Sequence, residues 1–347
     1  MKKIVKLVAG IDVAQEELVV CFGRIYDDLT PELIASKTFN NDKKGFESLT
    51  GWVKKLSTDA IVARYVMEAT GVYHESLAYW LDEHSYEVSI VLPNKISNYA
   101  RTLNVKTITD KTASEAIALF GLERKLEQWK RPEGIYKKLR QLTRERNQLV
   151  EERTMLKNQL HAEQSEAEPY KKSEARTKKR ITLLDKQEEE IKQELKQLIS
   201  ADQQMQRIVV LICSIPGVGL LTAATTLAET NGFDLIRNKR QLVSYAGLDV
   251  KEKQSGTSVK GKPRISKKGN KHLRKAMHLP ALAAIKHDER FKAIFARLVA
   301  KHGIKMKAAV AIQRKLLEMI YTIYKTQKSY DKEYLQKQYA KINKTAL

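Results

Sequence analysis

Three carboxylates and one serine are the residues in this chain whose type and setting suit chemistry on phosphate. Asp12 closes the apolar run Val8-Ala9-Gly10-Ile11-Asp12. Glu68 ends Tyr65-Val66-Met67-Glu68 just before a turn at Gly71, and Asp110 stands at the head of a helical pattern. Hard divalent cations take converging oxygen ligands, and such cations assist phosphoryl transfer. As a helix N-cap, Asp110 also has an ordinary structural explanation. The serine is Ser255, in Gln254-Ser255-Gly256. It sits inside Lys251–Lys275, a stretch with ten Lys or Arg and a single acid, Glu252. No GxSxG elbow surrounds it and no histidine base stands beside it, which disfavours acyl transfer. A hydroxyl among cations suits attack on phosphorus, where Lys and Arg stabilise the equatorial oxygens. The plain alternative is a Ser-Gly turn in a flexible loop.

Other cations in the same region are suited to hold phosphates. They are Arg264, Lys267, Lys268, Lys271 and Arg274, and the last two share a face with Lys267 if their helix starts early. Upstream, Ser214-Ile215-Pro216-Gly217-Val218-Gly219 separates two helical patterns. Gly217 and Gly219 there would expose backbone N–H groups at a helix start, as in helix-hairpin-helix DNA binders. A tight connection with Gly as C-cap and Pro as breaker is the bland reading of the same turn.

The elements that must position these residues follow from bulk composition and periodicity. With 347 residues, two or three domains are expected. The formal net charge of +22 implies a polyanionic partner, and its clustering favours nucleic acid. Cys21 and Cys213 lie far apart in apolar contexts and read as reduced core residues of a cytoplasmic, nucleoid-associated protein. No apolar run reaches the ~20 residues needed to cross a membrane. The N-terminal run is too short and too interrupted for a signal peptide, and no His–Cys spacing suggests zinc.

Residues 1–130 read as an α/β domain. Strands are predicted at Ile4–Ala9, Leu18–Phe22, Ile61–Met67 and Val88–Leu92, with helices at Lys44–Lys55, Tyr73–His84 and Thr112–Lys125. Residues 131–202 carry two narrow apolar seams. Leu139, Leu142, Leu149, Leu156 and Leu160 form one, and Ile181, Leu184, Ile191, Leu195 and Leu198 the other, with Glu188 its polar exception. They predict a coiled-coil helical hairpin that turns near Glu168-Pro169. Residues 203–328 read as helical, with Lys260–Lys268 a basic loop. Residues 329–347 form a basic tail.

The ordered set of these motifs resembles the DEDD-type transposases of the IS110 insertion-sequence family. The resemblance runs over roughly residues 5–325. It rests on Ala9-Gly10-Ile11-Asp12-Val13, Met67-Glu68-Ala69-Thr70-Gly71 and Thr109-Asp110-Lys111-Thr112. It continues through Leu139-Arg140, Leu142, Arg144, Arg146 and Leu149, then Ile215–Gly219, Tyr245-Ala246-Gly247-Leu248, Gln254-Ser255-Gly256 and Ile265–Asn270. The resemblance implies a multidomain α/β plus all-α chain. Its parts would be a RuvC-like (RNase H-like) domain, a coiled-coil insertion, and a helical C-terminal transposase domain bearing a nucleophilic serine. It further implies Mg²⁺ on Asp12, Glu68 and Asp110, and attack on DNA by Ser255 to leave a phosphoserine link. A structured noncoding guide RNA would pair with donor and target DNA. Protomers would assemble as dimers or tetramers, one supplying acids and another the serine.

One position departs from the family pattern. A fourth acid is expected three residues after Asp110, and this chain has Ala113. Alanine cannot ligate a metal, and Glu115 would face elsewhere on the helix. Either the chain is a naturally weakened member, or alanine replaces an aspartate; the completeness of the other motifs favours the second. A RuvC-like structure-specific nuclease and an inert nucleic-acid scaffold are the competing functions.

Overall fold

A computed structural model describes residues 2–58, 61–69, 71–103, 107, 109–234, 236–252, 254–255, 259–261, 263–331 and 333. Gly256 and the tail from 334 onward lie outside the described residues. The chain divides into two compact units, Met1–Arg131 and Pro132–Leu347.

The first unit is built on a five-stranded sheet of order β3-β2-β1-β4-β5. Its strands are β1 (Ile4–Val13), β2 (Glu17–Tyr26), β3 (Pro31–Asn40), β4 (Ala63–Glu68) and β5 (Glu87–Val91). β2 runs antiparallel to both β1 and β3, while β4 pairs parallel with β1 and β5 parallel with β4. This mixed sheet with helices on both faces fits the RNase H-like expectation. Alternation along the strands divides the core in two. Leu7, Ala9, Ile11 and Val13 face helices α1 (Lys43–Leu56) and α2 (His74–Glu83), where Phe46, Leu49, Leu77 and Leu81 are buried. Val8 and Val66 face the opposite way, toward α3 (Pro93–Ala100) and α4 (Asp110–Glu123), against Ile96, Ile117 and Leu122.

Two elements of this unit were absent from the sequence expectation. β3 alternates exposed and half-buried residues with few apolar side chains, so it carries little hydrophobic signal. α3 begins at Pro93, in the first helical turn where a missing N–H does no harm.

The second unit contains two long helices, α5 (Gly134–Gln164) and α6 (Lys171–Ser200), which form an antiparallel hairpin. Glu188 is only 5% exposed at its side chain and is held by Arg146 at 2.7 Å and by Arg153. The polar exception in the α6 seam is therefore a paired charge. The C-terminal helices are α7 (Gln203–Cys213), α8 (Leu220–Thr230), α9 (Lys239–Tyr245), α10 (Lys271–Ala276), α11 (His278–His287), α12 (Glu289–His302) and α13 (Lys305–Thr326). One hydrophobic cluster runs from Tyr136, Leu139 and Leu195 through Ile212, Leu227 and Phe233 to Ile320. The base of the hairpin and the C-terminal helices thus share a core.

Between α9 and α10 lie four two-residue strands. β6 (Val250–Lys251) pairs β9 (Arg264–Ile265), and β7 (Gln254–Ser255) pairs β8 (Val259–Lys260). Of these, β9 and the end of β8 fall within the expected basic loop Lys260–Lys268; its residues 261, 263 and 266–268 are irregular. Both ladders are antiparallel and the second is nested within the first, the order of a ribbon rooted at Val250 and Ile265. Over residues 271–287 the helical reading resolves into two helices, α10 and α11, that meet at Met277. α10 begins only at Lys271, and Lys267 has φ +54° outside it. Lys267 therefore does not share a helical face with Lys271 and Arg274.

Candidate active site

The acids of the first unit come together through strand register. Ile11 of β1 lies opposite Met67 of β4 in the parallel ladder. Asp12 and Glu68 are the next residues on each strand, so they emerge side by side on the same face, at the carboxyl end of the sheet. That face is the one covered by α4.

Gly10 lets α4 come down onto the strand. A Cβ at Gly10 would overlap the backbone of Ala118 and lie 2.7 Å from Ser114 O. One helical turn farther on, Gly121 fits over Val8 and Val66. Following the same face back toward the N-terminus by one turn leads from Ser114 to Asp110, level with Asp12. α4 is anchored at its other end too. Lys6 Nζ donates to the carbonyls of Gly121 and Arg124, the latter at 2.7 Å, and so satisfies acceptors left open at a helix C-terminus.

Thr109 caps α4, accepting from Thr112 N at 3.2 Å while Thr112 Oγ1 accepts from Thr109 N at 2.8 Å. The capping role proposed for Asp110 thus belongs to Thr109. Asp110 is the first residue of the helix and is exposed.

The neighbouring acids act on the charge of Asp12. The Asp12 carboxyl is pushed up to about 6 by burial, and further by the charges of Asp110 and Glu68. Like-charged neighbours disfavour ionisation, and a cation placed among them relieves that cost. The donor set, three oxygen-bearing side chains with mutual repulsion, fits a hard divalent cation. Among the described residues, no group of three His, Cys, Asp or Glu side chains is disposed to hold a metal ion as it stands.

Ala113 lies one turn after Asp110 and is half-buried. Glu115 is close enough to Cys21 of β2 to raise its thiol, after burial and against the Ser36 hydrogen bond. It therefore leans to the β2 flank, away from Asp110 around the helix, and does not stand in for an acid at 113.

In the second unit the expected phosphate contacts separate into distinct settings. Gly217 has φ +83°, and a Cβ there would press on Pro280 O at 2.5 Å and Ala284 N at 2.9 Å. This glycine is a packing residue against α11. Gly219 is the N-cap of α8, with open space where a side chain would be. Arg274 donates to Ala246 O at 2.8 Å and Gly269 O at 3.2 Å, so its guanidinium ties backbone segments together. Arg264, Lys267 and Lys268 are exposed, as is Lys271, the first residue of α10. Ser255 lies on β7, its backbone opposite Val259.

Sequence reasoning missed the residue that organises this region, Glu229. Its side chain is 1% exposed and receives both Nε and Nη2 of Arg144, at 2.8 and 2.9 Å. It also receives Asn270 Nδ2 at 2.6 Å. Burial opposes its ionisation, yet the Arg144 and Asn270 hydrogen bonds outweigh burial and hold the carboxyl below the usual range. Arg144 and Asn270 both belong to quoted family motifs, and Glu229 does not; a lone Glu in an apolar helix was the available signal.

Comparison with known proteins gives the family. Residues 9–165 match a family model of DEDD transposases of the IS110 type, and residues 209–296 match one described as the transposase IS116/IS110/IS902 family. A pilin gene-inverting protein of Moraxella lacunata is 30% identical over 337 residues, covering 94% of this chain and 98% of that protein. Its counterpart in Moraxella bovis aligns to the same extent. A transposase of an insertion element in Coxiella burnetii is 31% identical over 40% of this chain and 37% of that one. Among solved structures, Thermus thermophilus RuvC bound to a Holliday junction substrate matches 36% of this chain and all of that one, at 13% identity and a TM-score of 0.27. The chain belongs to the IS110 family of transposases. As for membranes, no helix among the described residues is long and apolar enough to span one.

Proposed function

We propose that this transposase is a site-specific DNA recombinase with a serine nucleophile. Ser255 Oγ attacks a DNA phosphorus, forming a P–O bond to serine. The bond to a sugar oxygen breaks, and that oxygen leaves with the proton the serine gives up. Asp12, Glu68 and Asp110 are the residues that would hold a divalent cation, Mg²⁺ in this reading, which when bound supplies counter-charge to the phosphoryl oxygens. The cations near Ser255, foremost Arg264, Lys267, Lys268 and Lys271, hold DNA phosphates by charge. Gly219 offers the α8 N-terminus to the same backbone.

The observation that carries this reading is the placement of Asp12 beside Glu68, with Asp110 brought level by α4 lying on Gly10. The name of the Moraxella relatives, which align nearly end to end, supports gene rearrangement over simple strand cutting. Sequence choice falls to a structured noncoding RNA pairing with donor and target DNA, which suits abundant phosphate-binding charge without a major-groove reading module. The α5–α6 hairpin acts as a coiled coil joining protomers into a dimer or tetramer, so that acids and serine come from different chains.

The test uses purified protein, the element's own RNA, paired donor and target DNA, and Mg²⁺. A covalent protein–DNA adduct is sought on a denaturing gel for the chain as it stands and for Ala113→Asp. The adduct should appear or rise with Ala113→Asp and vanish with Ser255→Ala. Nicked DNA without any adduct would identify a nuclease. Tight binding with no cleavage in either form would leave an inert scaffold.

A further inference from the structure

Ser255 lies on a ribbon of two-residue strands, and the root of that ribbon is held closely. Beyond the β6–β9 ladder, Ser266 N donates to Asp249 O at 2.8 Å and Ser266 Oγ to Asp249 Oδ1 at 2.6 Å. Lys267 N donates to Gly247 O at 3.1 Å, and Asn270 N to Tyr245 O at 2.8 Å. A Cβ on Gly269, at φ +152°, would overlap Tyr245 O and lie 2.8 Å from Gly247 N. The two legs of the root are therefore in backbone contact.

All of this converges on Glu229. Asn270 ends the returning leg, caps α10 by accepting from Leu273 N at 3.0 Å, and gives its Nδ2 to the Glu229 carboxylate. Tyr245 ends α9 before the outgoing leg and gives its hydroxyl to the backbone carbonyl of residue 229 at 2.9 Å, a bond that does not depend on the side chain there. Arg144 brings α5 to the same carboxylate. A buried ion pair is a poor device for stability, because well-packed apolar side chains of like volume serve as well or better. Its advantage is direction: three fixed hydrogen bonds define one geometry for the groups that meet there.

We propose that Glu229 is a positioning residue for the serine ribbon, setting the angle of its root through Asn270 and fixing that root to α5 through Arg144. This rests on the reading of Ser255 as nucleophile. Reaction geometry is sensitive to such supports, since a misplacement of about 1 Å lowers rates by about 10²-fold.

The discriminating variant is Asn270→Asp. Aspartate caps α10 as well as asparagine does, but it has no N–H for Glu229 and sets one carboxylate against another. Asn270→Asp, Glu229→Gln and the double variant are compared in the chain as it stands and in the Ala113→Asp background. Asn270→Asp should slow adduct formation about 10²-fold while DNA affinity changes by less than about twofold. The double variant restores a donor facing an acceptor and should recover most of the rate. Hydrogen exchange at the Ser266, Lys267 and Asn270 amides should quicken about tenfold in Asn270→Asp, with α7 and α8 unchanged. Unchanged adduct rate and exchange would overturn the proposal. So would a uniform rise in exchange across the second unit with parallel loss of DNA binding, the signature of a merely structural residue. An adduct that survives Ser255→Ala would instead sink the nucleophile reading. If neither background forms an adduct, the exchange pattern decides the hold of Glu229 on the root.

Discussion

The two sets of chemical residues are placed by opposite means. The acids of the first unit are set by apolar packing and strand register: Val8, Val66, Ile117 and Leu122 bury the interface that carries α4 over Asp12. The root of the ribbon in the second unit is held by hydrogen bonds and one ion pair between half-exposed Arg144 and buried Glu229, with strands of two residues each. Apolar packing is dense and non-directional, so it fixes where an element lies. Hydrogen-bond networks fix an angle and give way as units when one member is lost. On the proposed reading the difference suits the roles: a cation site needs oxygens held at constant spacing, and a nucleophile that must reach a substrate needs an orientable mount.

The largest effect should come from Gly10→Val. The added side chain must displace α4, at a cost of about 3 kcal/mol or more. Calorimetry and hydrogen exchange should show the loss in the first unit, with exchange of the second unit unaltered. Ala113→Asp should raise divalent-cation-dependent strand cleavage about 10²-fold, a change of about 2.7 kcal/mol in barrier. A single-turnover cleavage assay checks it; no change would remove position 113 from the ligand set. Gly269→Ala is the counterpart of Gly10→Val in the ribbon. It should cost about 1–3 kcal/mol locally, seen as faster exchange at Lys267 and Asn270 with the first unit's melting untouched. Lys6→Met removes the donor facing the last carbonyls of α4 and should destabilise the first unit by about 1–3 kcal/mol. A companion drop in cation affinity, by calorimetric titration, would show that the α4 anchor reaches the acids.

The smallest effect is in pH. Asp12 holds its proton more tightly in the fold than in the unfolded chain, about 6 against 3.8. The stability this carboxyl lends is therefore present below its unfolded value and is lost as pH rises through about 6. Without cation, Asp12→Asn should flatten that dependence and raise the neutral-pH melting temperature by about 2 °C, since solvent screens a half-buried group. Added divalent cation should stabilise the parent and leave the variant unmoved.

Much of the acid site was legible in the sequence because its supports are apolar runs with a clear period. β1, β4 and α4 each announce themselves that way, and the carboxylates mark their ends. β3 did not, because Glu32, Ser36 and Lys37 are exposed polar residues on an edge strand. The ribbon was read as a loop, since two-residue strands leave no period to detect. α9 is only seven residues long and equally quiet. Arg274 looked like a phosphate clamp because charge is visible in a sequence and a partner carbonyl is not. Glu229 was invisible for the same reason: its meaning depends on Arg144 and Asn270, distant in sequence and adjacent in the fold.

The anchoring of α4 at both ends turns β1 into a gauge. From Lys6 to Asp12 the strand spans about 20 Å, and from Asp110 to Arg124 the helix spans about 21 Å. Helix and strand are thus cut to a common length, with a lysine gripping one end and the acids meeting at the other. Adding one residue to α4 would swing Asp110 by about 100° around the axis, away from Asp12. Among the described residues, the outer reach of the α5–α6 hairpin shows no such matched strand. Across relatives, length changes should therefore collect in the hairpin and be excluded from the helix that measures the distance between acids.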